Sequence, residues 1–249
     1  MSTLEATIHG MANNRRNYYV QRLRYVVTGM PRSGTRYASK LFSKLGIPCG
    51  HESIIDVPRP SVKTSLWRLF DPKYRQLVAD ASWPAAAMMD QLPAHSVIFH
   101  QVRNPVRVVR SLMGIEFFQR TPGHKLYGYT EYAKQFVPHF DSPLEQAMAF
   151  WLHWNELAQS NTADRAYVRY QLEHLGDGCP ETLQLIAEQL STTSVDAIAA
   201  AVASFPSNVN GRRRDETVSW ETLPDGELKS QIAELAGTYG YSQADLSDA

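Results

Sequence analysis

Two short stretches of this chain place anion-binding residue types at spacings that can hold phosphate-like groups. The first is Gly29-Met30-Pro31-Arg32-Ser33-Gly34-Thr35-Arg36, which follows the apolar run Tyr25-Val26-Val27-Thr28. A glycine-rich turn that opens a helix aims backbone N–H groups at an anion, and the helix dipole adds to the attraction. Hydroxyls of Ser33 and Thr35 can add hydrogen bonds, and the Arg32 guanidinium can grip a sulfonate or phosphate bidentately. Gly29 and Gly34 keep the glycine spacing of the nucleotide-phosphate pattern GxxxxGK[ST]. Thr35, however, stands where the lysine belongs, and Arg36 where the magnesium-binding hydroxyl belongs. An anion cradle that has lost its metal ligand suggests a nucleotide bound without magnesium. The second stretch is Val102-Arg103-Asn104-Pro105, with Ser111 eight positions after Arg103. Arg103 closes an apolar run, and Ser111 lies two turns into a helix started by Asn104 and Pro105. Both can therefore converge on one anion beyond the strand's carboxyl end.

The elements around these stretches supply the context they need. Residues 24–28 read as a β-branched strand, followed by the glycine turn and a helix from Arg36 to Leu45 with Tyr37, Leu41 and Leu45 on one face. Gly46 stops that helix, and Ile47 to Cys49 reads as a second short strand. Asp56 to Lys73 is proline-punctuated and irregular. A helix is expected over Ala81 to Leu92, a strand over His95 to Val102, and a helix over Val106 to Phe118. Residues 120–142 read as a long mobile loop. Pro143 to Ser160 is an amphipathic helix whose Trp151 and Trp154 belong to the core, and Arg165 to Tyr170 is a further strand. Helices follow over about 180–190, 194–204 and 224–238, with 205–219 as loop. Strands alternating with helices predict a three-layer α/β/α arrangement around a central parallel sheet. Residues 1–20 read as a flexible polar leader and 21–249 as a single domain.

Bulk properties narrow the partners. The chain has 249 residues, 43% hydrophobic and 20% charged, and a formal net charge of zero, so bulk charge offers no attraction to nucleic acid or to an anionic membrane. The basic residues are nonetheless uneven, with Arg15, Arg16, Arg22, Arg24, Arg32, Arg36, Lys40 and Lys44 crowding the first fifth. Cys49 and Cys179 make neither a disulfide framework nor a zinc pattern, which fits reduced thiols in the cytoplasm. No apolar run has the length of a membrane span, and the polar N-terminus lacks a signal-peptide core.

Taken together, the two anion stretches resemble the sulfotransferase family that uses 3′-phosphoadenosine 5′-phosphosulfate (PAPS). Gly29 to Thr35 looks like its 5′-phosphosulfate loop, and Arg103 with Ser111, including Pro105, looks like its 3′-phosphate motif. The resemblance spans roughly residues 24–240. It implies the P-loop-containing nucleotide-binding fold of sulfotransferases, with PAPS as donor, adenosine 3′,5′-bisphosphate as product and no metal. The activity implied is in-line transfer of a sulfonate to a hydroxyl or amine of a small-molecule, carbohydrate or peptide acceptor. By the same resemblance Arg32, Ser33, Gly34, Thr35, Arg36, Arg103 and Ser111 hold the donor. Val168-Arg169-Tyr170-Gln171-Leu172 is similar to the family's strand that ends in a tyrosine, and Gly211-Arg212-Arg213-Arg214 to its basic C-terminal loop. Tyr170, Arg213 and Arg214 are thereby nucleotide contacts. Cys49-Gly50-His51-Glu52 resembles the Cys-Gly-Glu-Glu segment of tyrosylprotein sulfotransferases, whose last glutamate is the base; Glu52 takes that position and His51 adjoins it. Arg36 departs from the family, replacing a second threonine, and the glutamate–aspartate pair and lysine–glycine pattern of cytosolic members are missing.

Arginines around Glu52 favour its ionised form, so a base there requires local desolvation. Consecutive residues at a strand end point to opposite sides, which separates His51 from Glu52. Trp67, Trp83, Tyr127 and Tyr129 can line an acceptor pocket, with His124 and Lys125 as further acceptor contacts, whereas His100 reads as a core histidine. Two other functions are compatible with an anion loop. A P-loop nucleotide kinase requires the absent lysine and hydroxyl and a strand ending in aspartate, but the His95 strand ends in Arg103. A catalytically inactive nucleotide-binding module requires only the loop. Acceptor identity and oligomeric state are not encoded in any motif.

Overall fold

The computed structural model describes residues 18–57, 72–160, 162, 164–191, 193–206 and 217–248. The basic segment with Arg213 and Arg214, Trp67, and the expected leader up to residue 17 lie outside these. Tyr19 and Val20, the end of that leader, are buried with Leu23 and Val26.

Among the described residues five strands form one parallel sheet in the order β2-β3-β1-β4-β5. They are β1 (Tyr25–Thr28), β2 (Cys49–His51), β3 (Ala79–Ala81), β4 (Val97–Val102) and β5 (Tyr167–Gln171). Both sheet faces are covered, as the near-continuous apolar strands require. On one side Val27 and Phe99 pack under α1 (Thr35–Lys44) and two helices that follow β5, α6 (Pro180–Gln189) and α7 (Val195–Ala203). Between β5 and α6 lies a short helix, α5 (Leu172–Gly176). The other side is built on α2 (Pro105–Met113), α4 (Pro143–Gln159) and α8 (Glu227–Thr238), around Trp151, Trp154 and Phe150. Two further helices are α3 (Tyr127–Lys134) and α9 (Gln243–Ser247). This is the expected α/β/α architecture. Its topology reverses between β1 and β4, and open α/β sheets form their ligand crevice at such a point, outside the strand carboxyl ends.

Several local expectations are corrected. The segment 81–92 is not an α-helix: β3 occupies its start, and Trp83–Gln91 is a 3₁₀ run kinked at Met88. Pro84 at its start and the apolar, non-periodic Ala-Ala-Ala-Met-Met sequence leave no helical face to bury. The 120–142 segment contains helix α3, whose Thr130, Tyr132 and Ala133 are buried. The second strand runs from Cys49 to His51, two residues later than its sequence signal. His100 is a core histidine, as expected. Its ring lies between the Tyr167 hydroxyl at 2.7 Å and Asn155 Oδ1 at 3.0 Å, and burial pushes its pKa down to about 4.

Strand β3 exists because of its middle residue. Asp80 is fully buried, and its carboxylate accepts backbone N–H bonds from Ser53 at 3.2 Å, Ile54 at 3.0 Å and Ile55 at 2.8 Å. It thereby ties the chain after β2 to the sheet. Burial raises the carboxyl from 3.8 to about 6, outweighing the N–H groups that favour its ionised form. Between those two values the folded chain keeps a proton that the unfolded chain has lost. The Asp80 contribution to stability is therefore complete at acid pH and is lost as pH rises through about 6. Each pKa unit corresponds to about 1.4 kcal/mol, so the expected loss is about 2 kcal/mol between pH 4 and pH 7. Denaturant unfolding should show wild type exceeding Asp80→Asn by more at pH 4 than at pH 7. A difference that does not change with pH refutes this assignment.

Candidate active site

The 29–34 turn is pressed onto the end of β4. A Cβ on Gly29 (φ 150°) would stand 2.2 Å from the Gln101 carbonyl oxygen. A Cβ on Gly34 (φ 95°) would meet Leu172 Cδ2 at 2.8 Å and Gln101 Nε2 at 2.9 Å. Neither position has room for a side chain, and both use backbone conformations that glycine alone adopts freely. Arg32 is also left-handed (φ 75°), which swings its side chain out of the turn.

Beneath the turn runs a buried polar chain. The Tyr170 hydroxyl donates to Gln101 Oε1 at 2.9 Å, and the Gln101 amide donates to the Ser33 carbonyl. Burial pushes the Tyr170 phenol well above its usual range, so it stays a donor. Tyr170, expected as a nucleotide contact, is thus placed under the loop as its support. Ser33 is corrected likewise: its buried hydroxyl donates to the Met30 carbonyl at 2.6 Å, closing the turn on itself. Sequence reasoning missed Gln101, whose only signal was a polar residue inside an apolar strand.

The two anion stretches meet. Arg32 Nε donates to Ser111 Oγ at 2.8 Å, and Arg103 Nη1 donates to the Arg32 carbonyl at 2.8 Å. Arg103 Nε lies 3.9 Å from Glu173 Oε1 on α5, and the Trp151 indole donates to the Arg103 carbonyl at 3.1 Å. Asn104 caps α2 by accepting from the N–H groups of Val106 and Arg107. Arg32 therefore stands between Ser111 and the head of α1, whose first turn carries no acidic residue.

On the other side Thr35 Oγ1 lies 3.2 Å from His51 Nε2, and His51 Nε2 lies 3.7 Å from Glu52 Oε1. The expectation that His51 and Glu52 point apart is corrected. Glu52 is left-handed (φ 49°), which breaks the strand alternation and brings both side chains to one place. Arg32, Arg36, His51, Glu52, Arg103 and Thr35 all border a cavity of about 230 Å³. Trp83 and Tyr129 also line it, as expected, together with Ile115, Phe117, Arg120 and Leu126. Tyr127, His124 and Lys125 do not border it. Tyr129 is held there by its hydroxyl, which donates to Asp56 Oδ1 at 3.0 Å. Four guanidiniums and one carboxylate thus face the cavity from the described residues. No cluster of three metal-ligating side chains occurs among the described residues, nor any helix long and apolar enough to cross a membrane.

The loop geometry makes an ordered prediction. Gly29→Ala drives a methyl group into backbone and should cost about 3 kcal/mol or more. Gly34→Ala meets the movable ends of Leu172 and Gln101 and should cost about 1–2 kcal/mol. Chemical denaturation reads both; equal losses, or a larger one at Gly34, would contradict the packing described.

No protein-family model matches the chain, nor does any curated protein sequence. Among solved structures the chain is similar to the sulfotransferase domain from the curacin biosynthetic pathway. The identity is 13% and the TM-score 0.55, over 88% of this chain and 98% of that domain. The two share a fold, a parallel sheet flanked by helices.

Proposed function

We propose that this protein is a sulfotransferase that moves a sulfonate from PAPS to a hydroxyl or amine, without a metal, and releases adenosine 3′,5′-bisphosphate. The observation that carries the reading is the direct contact of the two anion stretches, Arg32 Nε to Ser111 Oγ at 2.8 Å and Arg103 Nη1 to the Arg32 carbonyl at 2.8 Å. One turn and one helix are thereby fixed to each other as a binding surface for two phosphate-like groups of a single ligand. The donor's chemistry fits the residues present. The glycine turn leaves backbone and the head of α1 open to an anion, and Arg32, Arg36 and Arg103 outnumber the single carboxylate of the cavity. The shared fold with a sulfotransferase domain points the same way.

When bound, PAPS supplies an electrophilic sulfonate on a good leaving group. Arg32, with Thr35 and the N–H groups that open α1, would hold the sulfonate and the bridging oxygen, where negative charge grows during transfer. Arg103 and Ser111 would hold the 3′-phosphate, and Arg36 the outer face of the 5′-phosphate. Glu52 would take the acceptor proton on its carboxylate. His51, 3.7 Å from Glu52 and 3.2 Å from Thr35, positions that carboxylate against the loop. The apolar wall of Trp83, Phe117 and Leu126 would exclude water from the reacting end. Arg213 and Arg214 would close over the nucleotide.

Calorimetry in the presence of a chelator should show binding of adenosine 3′,5′-bisphosphate, and Arg32→Ala should weaken it. Glu52→Gln should retain that binding while kcat falls by about 10²–10⁴-fold, the usual worth of a general base. A protein that binds magnesium–ATP in preference, or whose Glu52→Gln variant keeps full turnover, does not work in this way. Binding without turnover on any acceptor would identify an inactive nucleotide-binding module. A larger kcat loss in His51→Ala than in Glu52→Gln would transfer the role of base to His51.

A further inference from the structure

Arg120 borders the same cavity as Arg32, His51 and Glu52, but neither the donor nor the proton transfer requires it. It lies in the turns after α2, with its guanidinium carbon 4.7 Å from the centre of the Phe117 ring. One terminal nitrogen reaches the Leu126 carbonyl at 3.5 Å, the outer limit of a hydrogen bond. Its Nε is buried and has no hydrogen-bond partner among the described residues. Burial also lowers the pKa of this guanidinium from its ordinary value, a mark of incomplete solvation. A buried donor left unmade is costly, more so in a charged group, and a shift of the guanidinium onto an arriving oxygen removes that cost. Phe117 and Leu126 adjoin it, and the cavity wall is completed by the apolar or aromatic Trp83, Ile115 and Tyr129. The cavity thus joins a reacting end, an apolar wall and a separate, under-solvated cation.

We propose that Arg120 selects the acceptor: it binds a carboxylate on a molecule with an aromatic or apolar body whose hydroxyl reaches Glu52. This rests on the sulfotransferase reading of the same cavity. A planar guanidinium offers paired N–H groups that match the two oxygens of a carboxylate. A monoanion is favoured because one guanidinium against an apolar wall balances one charge, whereas a phosphate would leave negative charge unpaired in a desolvated place. The substrate class is therefore hydroxy-carboxylates, above all phenolic acids.

The test uses 4-hydroxyphenyl carboxylates with a spacer of none to three methylenes, each against its primary amide. Turnover with PAPS is measured alongside the Kd of each probe in the presence of adenosine 3′,5′-bisphosphate. Wild type should prefer the best-fitting carboxylate over its amide by roughly 10- to 100-fold in both Kd and kcat/KM, the range of a charge-assisted hydrogen bond. Arg120→Met, which retains packing on Phe117, should bring the carboxylate to the level of the amide and leave the amide values and nucleotide Kd within about threefold. Arg120→Lys should restore part of the preference, and Arg120→Gln serves as a second neutral variant should the methionine variant not fold. No carboxylate preference across the whole series overturns the proposal. An equal loss of kcat on carboxylates and amides also overturns it, by assigning Arg120 to the transferred sulfonate. The two readings fail separately. A carboxylate preference in Kd that Arg120→Met abolishes, without turnover, supports Arg120 and rejects sulfotransfer. Turnover without charge preference does the reverse.

Discussion

The structure depends on the seat of the 29–34 turn on Gln101. The Gly29 backbone touches the Gln101 carbonyl so closely that no Cβ fits, and the Gln101 side chain bridges the Ser33 carbonyl above it to the Tyr170 hydroxyl beside it. β1, β4 and β5, three neighbouring strands, thus converge on one amide. Because buried polar groups are costly unless paired, each partner fixes the next. The turn accordingly has one conformation, set by the sheet. A turn whose carbonyls are engaged downward presents its outer surface to an anion without reorganising, the condition for electrostatic stabilisation of a charged reacting group.

A second network holds the arginines and extends to the C-terminal helices. Glu173 on α5 lies near Arg103 and also accepts from the Asn104 N–H and from the Tyr241 hydroxyl at 2.9 Å. Burial, reinforced by the Glu173 charge, pushes the Tyr241 phenol far above its usual range, so it remains a donor to that carboxylate. The Asn104 amide in turn donates to the Asp245 carbonyl on α9 at 2.7 Å. In the proposed site Arg103 is therefore both an anion-facing cation and, through Glu173, a tie to Tyr241 just ahead of α9. Loss of ligand binding on its substitution mixes the two roles.

Much of this was legible in the sequence wherever local chemistry alone decides structure. The glycine turn, the Asn104-Pro105 helix start, the β-branched strands and the tryptophan helix all stand where their residues place them. What was missed is imposed by distant partners. Ala79-Asp80-Ala81 has no strand propensity; it is a strand because β1 and β2 pair with it and because Asp80 binds the chain after β2. Helix α3, Tyr-Gly-Tyr-Thr-Glu-Tyr-Ala-Lys, lacks a regular apolar period and forms because Thr130 and Tyr132 bury against the tryptophan layer. Ser33 and Tyr170 are in the expected region but support the loop, because a motif fixes a residue's neighbourhood and not the direction of its hydroxyl. Arg120 carried no sequence signal: its interest lies in an unmade hydrogen bond, which only three-dimensional packing creates.

The pairing of His51 with Glu52 joins these strands of argument. Strand alternation separates consecutive side chains, so bringing them together requires a residue outside the allowed β region. Glu52 is that residue, and a left-handed non-glycine backbone costs about 1–3 kcal/mol unless the surroundings enforce it. The enforcement is visible on both sides. The Glu52 N–H donates to the Ala81 carbonyl at 3.1 Å, and the next three N–H groups end on Asp80. Asp80 does not border the cavity, yet its burial sets the turn that carries Glu52. The two halves of the site are thus held by different means. The side formed by the 29–34 turn is held by glycines with no room to move, and the side formed by His51 and Glu52 by a buried carboxylate that gathers backbone donors around a strained glutamate.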